Sequence, residues 1–470
     1  MRSSLKFLLS VLTGALLTLG FAPINIALFG LICPLMLWGL IHKSTPMQAF
    51  WRFLGFGIGL YGVGVSWVYI SIARFGGQPF WVAGLITGLF ILILSVYTGI
   101  LGSLLAHCAK KPWQKIILYP TLWTLFDILR SWILTGFPWL FLGDTQLGTP
   151  LQGFAPIGSV YLVSFMTVLL SVLFFQLILE RKLRRDGLGI LLIGLLGYGL
   201  NSISWTQIQT QHPLSITSIQ GDIPQSLKWQ PNLLENSLLT YQTLSQKALD
   251  QHHQILIWPE SAIPDTQQDL PRYLHVLNQT LTHSHNSLIT GILESQSTPH
   301  NTLYFNAALG LGDAHGVYLK EHLVPFGEYI PFQNLFGRLF AWMDIPASGF
   351  TPGPRHQTPI HIEGYPVGIM ICYEIAYPML VREHSLHSAF LVSLSDDAWF
   401  GDSLGPWQQA QIAQMRALET GRYLINSTNN GITSLINPKG HVIAEIHSHQ
   451  ALALQGVIYP VKGETPWQRF

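Results

Sequence analysis

Hydrophobic and polar positions divide the chain into two textures. Through the first half, apolar stretches with almost no charge recur near residues 7–22, 26–41, 53–73, 80–107, 116–135, 156–179 and 188–205. A helix crosses a bilayer core with about 20 apolar residues, so this half predicts a transmembrane domain of about seven helices over 1–206. Residues 2–22 have the outline of a signal peptide. No small-residue cleavage site follows, however, and a second apolar segment begins at once, so a retained span is expected. From about residue 213 the apolar runs shorten and alternate with helix-patterned polar segments. Leu214–Ile219, Ile255–Trp258, Ser287–Leu293, Tyr304–Leu309, Val367–Ile371 and Phe390–Leu394 read as strands, and Leu233–Leu249 and Trp407–Leu418 as helices. That alternation predicts an α/β domain over 213–460, large enough for a full core.

Charge sharpens the division. Only 10% of residues are charged and mean hydropathy is +0.34, an unusual balance for a soluble protein. Residues 1–221 hold 13 Lys/Arg against 4 Asp/Glu, whereas 222–470 hold 12 against 20. The net charge of +1 therefore hides a basic half and an acidic half, and no basic stripe points to nucleic acid. On one side of the expected spans lie Arg2, Lys6, Lys43, Arg52, Lys110, Lys111, Lys115, Arg181, Lys182, Arg184 and Arg185; the opposite loops offer Arg74. This asymmetry predicts a cytoplasmic N-terminus and an outer C-terminal domain. Asp127 and Arg130, three apart in one span, can pair on a helix face. Beyond them, Thr135–Leu140 is too rich in Gly and Pro for a helix and reads as an interfacial loop with Trp139 at headgroup depth, either an aromatic-belt anchor or a lipid-binding mouth.

Candidate chemistry lies in the second half. Cys372 is its only cysteine; Cys33 and Cys108 sit in apolar runs, so no disulfide framework forms within the polar half. The 18 histidines are scattered, without zinc spacing, and no metal or organic cofactor is indicated. Cys372 ends the apolar run 367–371, Glu260 follows Ile257-Trp258-Pro259, and Lys320 and Glu328 share the stretch 318–328. Groups beyond the carboxyl ends of strands can converge in an α/β sheet. A thiol of ordinary pKa, about 8.5, needs a base or a neighbouring cation to attack. Glu260 can accept the proton. Lys320 can stabilise the thiolate and then an oxyanion, alongside a backbone N–H after Cys372. Acyl transfer through a thioester is the natural use of such a set. Taken singly, each residue is more often structural, the thiol as a small buried hydrophobe and the lysine as a solvated side chain.

The order Glu260, Lys320, Cys372 resembles the Glu-Lys-Cys triad of the nitrilase, or carbon–nitrogen hydrolase, superfamily. Longer strings resemble its membrane branch, the apolipoprotein N-acyltransferases of Gram-negative bacteria: 220–229, 258–264, 322–329, 372–375, 397–401 and 428–431, with 21–23, 66–69 and 136–139 in the apolar half. The likeness covers nearly the whole chain. It implies a polytopic α-helical membrane domain plus an α/β nitrilase-like αββα sandwich. It also implies a ping-pong reaction in the bacterial inner membrane, catalysed on the periplasmic side. Cys372 would take an acyl chain from a phospholipid, typically phosphatidylethanolamine, and pass it to the N-terminal amine of an apolipoprotein's lipidated cysteine. The resemblance makes Glu260 the general base, Lys320 the oxyanion partner and Glu328 a residue that orients the triad. Tyr373, Glu374, Trp229, Trp399 and Phe400 are then expected to line the site. The apolar patch containing Phe336 and Trp342 is expected to be a mobile lid or membrane-dipping arm. Three departures stand out: the chain stops at 461–470, where an eighth span is expected; Asp127 replaces an expected glutamate; and Asp396 replaces an expected asparagine.

Two other functions fit parts of the pattern. A membrane-tethered amidase would use the same triad with water resolving the thioester. A transporter or scaffold would leave the triad unexplained and has too few intramembrane charges for an ion or proton relay.

Overall fold

The computed structural model describes residues 3–179, 183–251, 253–299, 301–330 and 349–470. The chain forms two compact units: 1–204 with 402–411, and 205–401 with 412–470.

The first unit is helical: α1 Ser3–Leu17, α2 Leu28–Ile41, α3 Pro46–Gly64, α4 Phe80–Cys108, α5 Pro112–Arg130, α6 Ala155–Leu179 and α7 Leu183–Ser202. Each lies on one of the expected apolar stretches. Among the described residues three helices are long and apolar enough to cross a membrane. A fourth arises if α3 and the following Trp67–Phe75 segment, bent by 51°, count as one span. The stretch expected as a continuous helix over 53–73 is therefore broken at residues 65–66. Small residues let helices approach closely: a Cβ on Gly14 would strike the Phe56 carbonyl, and one on Gly59 the Val11 carbonyl. Asp127 and Arg130 do pair, at 2.9 Å, and Arg130 also donates to Tyr61 Oη at 3.1 Å and to the Trp139 carbonyl at 2.7 Å. The pair thus ties α5 to α3 and to the 136–140 turn.

The second unit is an αββα sandwich. One sheet has six strands in the order β13-β1-β2-β3-β4-β6, from β1 Leu214–Gln220, β2 Gln254–Thr266, β3 Ser287–Ser297, β4 Thr302–Gly312, β6 Val317–Leu319 and β13 Leu452–Ile458. The other has seven, β12-β11-β10-β9-β8-β7-β5. Those are β5 Ala314–His315, β7 Ile360–Ile362, β8 Tyr365–Ile371, β9 Phe390–Ser395, β10 Leu424–Thr428, β11 Thr433–Ile436 and β12 Val442–Ile446. Strand alternation explains the layers. Ile255 and Ile257 face a core shared with Ile369, Ile371, Val392 and Leu394, while Leu256 and Trp258 face Tyr241 and Leu277 of the outer helices Leu234–Leu249 and Pro271–His283.

Candidate active site

The predicted chemistry lies on one strand bulge and on two segments that directly follow strands, with left-handed residues among them. β2 pairs with β3 in register through Trp258↔Thr290 and then skips to Ile263↔Ile292. Glu260 therefore sits inside a long strand at a bulge, rather than past a strand end as the sequence pattern suggested. The bulge packs against Gly291, where a Cβ would lie 2.5 Å from the Pro259 carbonyl and 2.6 Å from the Glu260 Cα. Cys372 follows β8 directly, in a left-handed conformation (φ 54°) that opens the short helix 372–376. Ser261 (φ 49°) and Phe326 (φ 63°) are also left-handed, one beside Glu260 and the other two residues before Glu328. Such backbone costs roughly 1–3 kcal/mol per residue and clusters where a side chain must be aimed.

The bulge and the 320–328 segment bring the acids and the amine together. Lys320 is 1% exposed; its Nζ donates to Glu328 Oε1 at 2.8 Å and lies 3.4 Å from Glu260 Oε1. Asn306 Nδ2 bridges the same two oxygens, at 2.7 Å to Glu260 and 2.9 Å to Glu328. The Asp396 N–H donates to Glu260 Oε2 at 2.9 Å, and the Val324 N–H to Glu328 Oε2 at 2.7 Å. Burial would lower the Lys320 pKa, but Glu328 and Glu260 outweigh it and hold the amine above its ordinary range. Burial raises the Cys372 thiol well above its usual value; Glu260 adds to that and Lys320 opposes it. The thiol is therefore protonated at neutral pH, and attack needs a base in place.

The remaining predicted residues divide. Glu374 is fully buried and belongs to the scaffold behind Cys372. It accepts from the N–H groups of Glu321, His322 and Ile371 and from Tyr318 Oη, all at 2.7–3.0 Å. Tyr373 joins an aromatic group with His322 and Tyr377. Trp229 and Trp399 are 46% and 39% exposed, whereas Phe400 is buried. Trp139 corrects its expectation. It is 1% exposed, because Arg130 draws its carbonyl inward and Gln408 Oε1 accepts its indole N–H at 2.7 Å. The outward residues near that turn are Trp132, Ile133 and Leu134. Phe336 and Trp342 lie outside the described residues. Sequence reasoning missed Asn306, whose only sign was an amide inside the apolar strand 304–309.

The two-sheet sandwich thus carries Cys372 on a strand-to-helix turn and holds Glu260 and Lys320 buried. The carbon–nitrogen hydrolase family model matches residues 215–457, and the model of the apolipoprotein N-acyltransferase N-terminal domain matches 13–173. The chain is 40% identical over 468 residues to an apolipoprotein N-acyltransferase of Coxiella burnetii, covering 98% of this chain and 96% of that one. It is 37% identical to one from Azotobacter vinelandii, covering 98% and 91%. A solved structure, the NitFhit protein of C. elegans, is 15% identical with a TM-score of 0.40, covering 55% of this chain and 62% of that one. The chain belongs to the apolipoprotein N-acyltransferase family. Because the match spans both halves, the amidase alternative is not favoured.

Proposed function

We propose that the chain transfers a fatty acyl group from a phospholipid, phosphatidylethanolamine foremost, to the N-terminal amine of the diacylglyceryl-cysteine of an apolipoprotein. This is the last step of bacterial lipoprotein maturation. The observation that carries the reading is the buried Glu260–Lys320–Glu328 cluster around which Cys372 is presented, in a chain whose family membership runs through both halves. Among the described residues, three to four helices long and apolar enough to cross a membrane, together with the one-sided Lys/Arg distribution, support a multi-pass protein of the inner membrane with its catalytic unit on the periplasmic side.

In the first half-reaction Glu260 takes the Cys372 proton as Sγ attacks the ester carbonyl. The tetrahedral oxyanion is stabilised by the Lys320 ammonium and a backbone N–H following Cys372. Collapse breaks the acyl C–O bond, and protonated Glu260 returns the proton to the departing lysophospholipid. The acceptor amine then attacks the thioester carbonyl; Glu260 takes its proton and hands it to the leaving Cys372 thiolate. Asn306 and Glu328 hold Glu260 and Lys320 in register throughout.

Intact-protein mass spectrometry after incubation with phosphatidylethanolamine tests the reading. Wild type should gain one fatty-acyl mass, lost again on adding a diacylglyceryl-cysteine peptide; Cys372→Ser should gain none. A wild-type protein that acquires no acyl group yet hydrolyses amides would overturn it.

A further inference from the structure

Lys228 is a buried cation that the proposed reaction leaves without a task. Its side chain is closed to solvent; Nζ donates to Asp396 Oδ2 at 2.5 Å and to the Glu260 backbone carbonyl at 3.1 Å. That carbonyl lies in the bulge where the β2–β3 ladder has no pairing, so the lysine supplies a donor that the sheet does not. Asp396 reaches the same residue from its other end, through the N–H on Glu260 Oε2. Its own Oδ1 accepts from Asn429 Nδ2 at 3.0 Å. With its amide turned to suit both neighbours, Gln225 donates to Asp396 Oδ2 at 2.9 Å and accepts from the Trp229 indole at 3.1 Å. A buried ammonium requires a counter-ion, and here the carboxylate is that partner.

We propose that Lys228 and Asp396 are positioning residues for the base. They clamp Glu260 through its backbone carbonyl and its carboxylate, and they hold the turn bearing Trp229 in the same frame. The inference rests on Glu260 acting as the base of the proposed reaction.

The test uses the full-length protein in detergent with phosphatidylethanolamine, comparing Lys228→Met, Asp396→Asn and the double variant. Each single change strands a buried polar or charged partner, so its unfolding midpoint should fall. The neutral double variant should recover most of that loss. Its single-turnover acylation of Cys372 should nevertheless remain about 10- to 100-fold below wild type, with KM for the phospholipid within about twofold, because the Glu260 carbonyl is no longer held. A double variant at the wild-type rate, or rate losses that simply follow the unfolding midpoints, would overturn the proposal. Failure of wild type itself to form the thioester would instead sink the proposed function.

Discussion

Replacing Gly291 with alanine asks whether aim, rather than residue identity, limits the chemistry. Gly291 touches no candidate substrate position; it lies on β3 beneath the Glu260 bulge. The added methyl would sit 2.5 Å from the Pro259 oxygen and Ser261 nitrogen and 2.6 Å from the Glu260 Cα, where ordinary contact begins at 3.4 Å. All three are backbone atoms, so no side chain can swing aside. The bulge must recede by about 0.9 Å, the difference between 3.4 and 2.5 Å. A displacement of about 1 Å at a reacting group costs on the order of 100-fold in rate, whereas overpacking alone costs about 1–3 kcal/mol of stability. We expect Gly291→Ala to remain folded, with an unfolding midpoint lowered by a few degrees. Cys372 acylation, followed by mass spectrometry in single turnover, should slow about 100-fold. A folded variant that acylates at the wild-type rate would refute the reasoning.

Other outcomes follow from the same geometry. Glu374→Ala should destabilise the protein by about 3 kcal/mol in denaturant titration, because three backbone N–H groups and the Tyr318 hydroxyl lose their acceptor; an unchanged midpoint would reject the scaffold role. His384 is half-buried, with Nδ1 on the Ile369 carbonyl at 2.6 Å and Nε2 on Glu321 at 3.2 Å. Burial lowers its pKa, but the Glu321 bond and the Glu374 charge raise it further, to a net upward shift. Its stabilisation is then full below the unfolded value of about 6.5 and is lost as pH rises through the folded one. The stability gap between wild type and His384→Asn should therefore narrow from pH 6 to pH 9; a widening gap would contradict this. Because the Cys372 thiol is held protonated, its alkylation by iodoacetamide at pH 8, read on the Cys372 peptide, should run at least about 10-fold slower than that of a free thiol. A faster rate would disprove the charge assignment.

Periodicity made much of the fold legible. The apolar stretches became the helices of the first unit, and Leu214–Ile219, Ser287–Leu293, Val367–Ile371 and Phe390–Leu394 lie within observed strands, because buried strands are written as short apolar runs. What stayed hidden depends on neighbours distant in sequence. The bend after Gly64 and the inward turn of Trp139 are set by Gln408, which accepts both indole N–H groups and donates to the Gly64 carbonyl. Glu260, Lys320 and Cys372 stood out as candidates in the sequence because they flank strand-like runs. Asn306, Lys228 and Asp396 did not, since a lone polar residue acquires meaning only when the structure shows which buried carboxylate or carbonyl it meets.

The stretch 402–411 counts with the helical unit although some 200 residues of the other unit intervene. Gln408 and Gln411 supply acceptors for Trp67, Trp139 and the Ala22 N–H, and donors for Gly64, Asn25 and Asp144. A fragment ending near residue 204 would therefore leave several buried indoles and carbonyls unmatched. During synthesis the helical bundle cannot finish its interior until the ribosome has passed residue 411. Bisecting the gene at the apparent boundary should produce an incomplete N-terminal piece, and supplying 402–411 from a separate polypeptide should help to complete it.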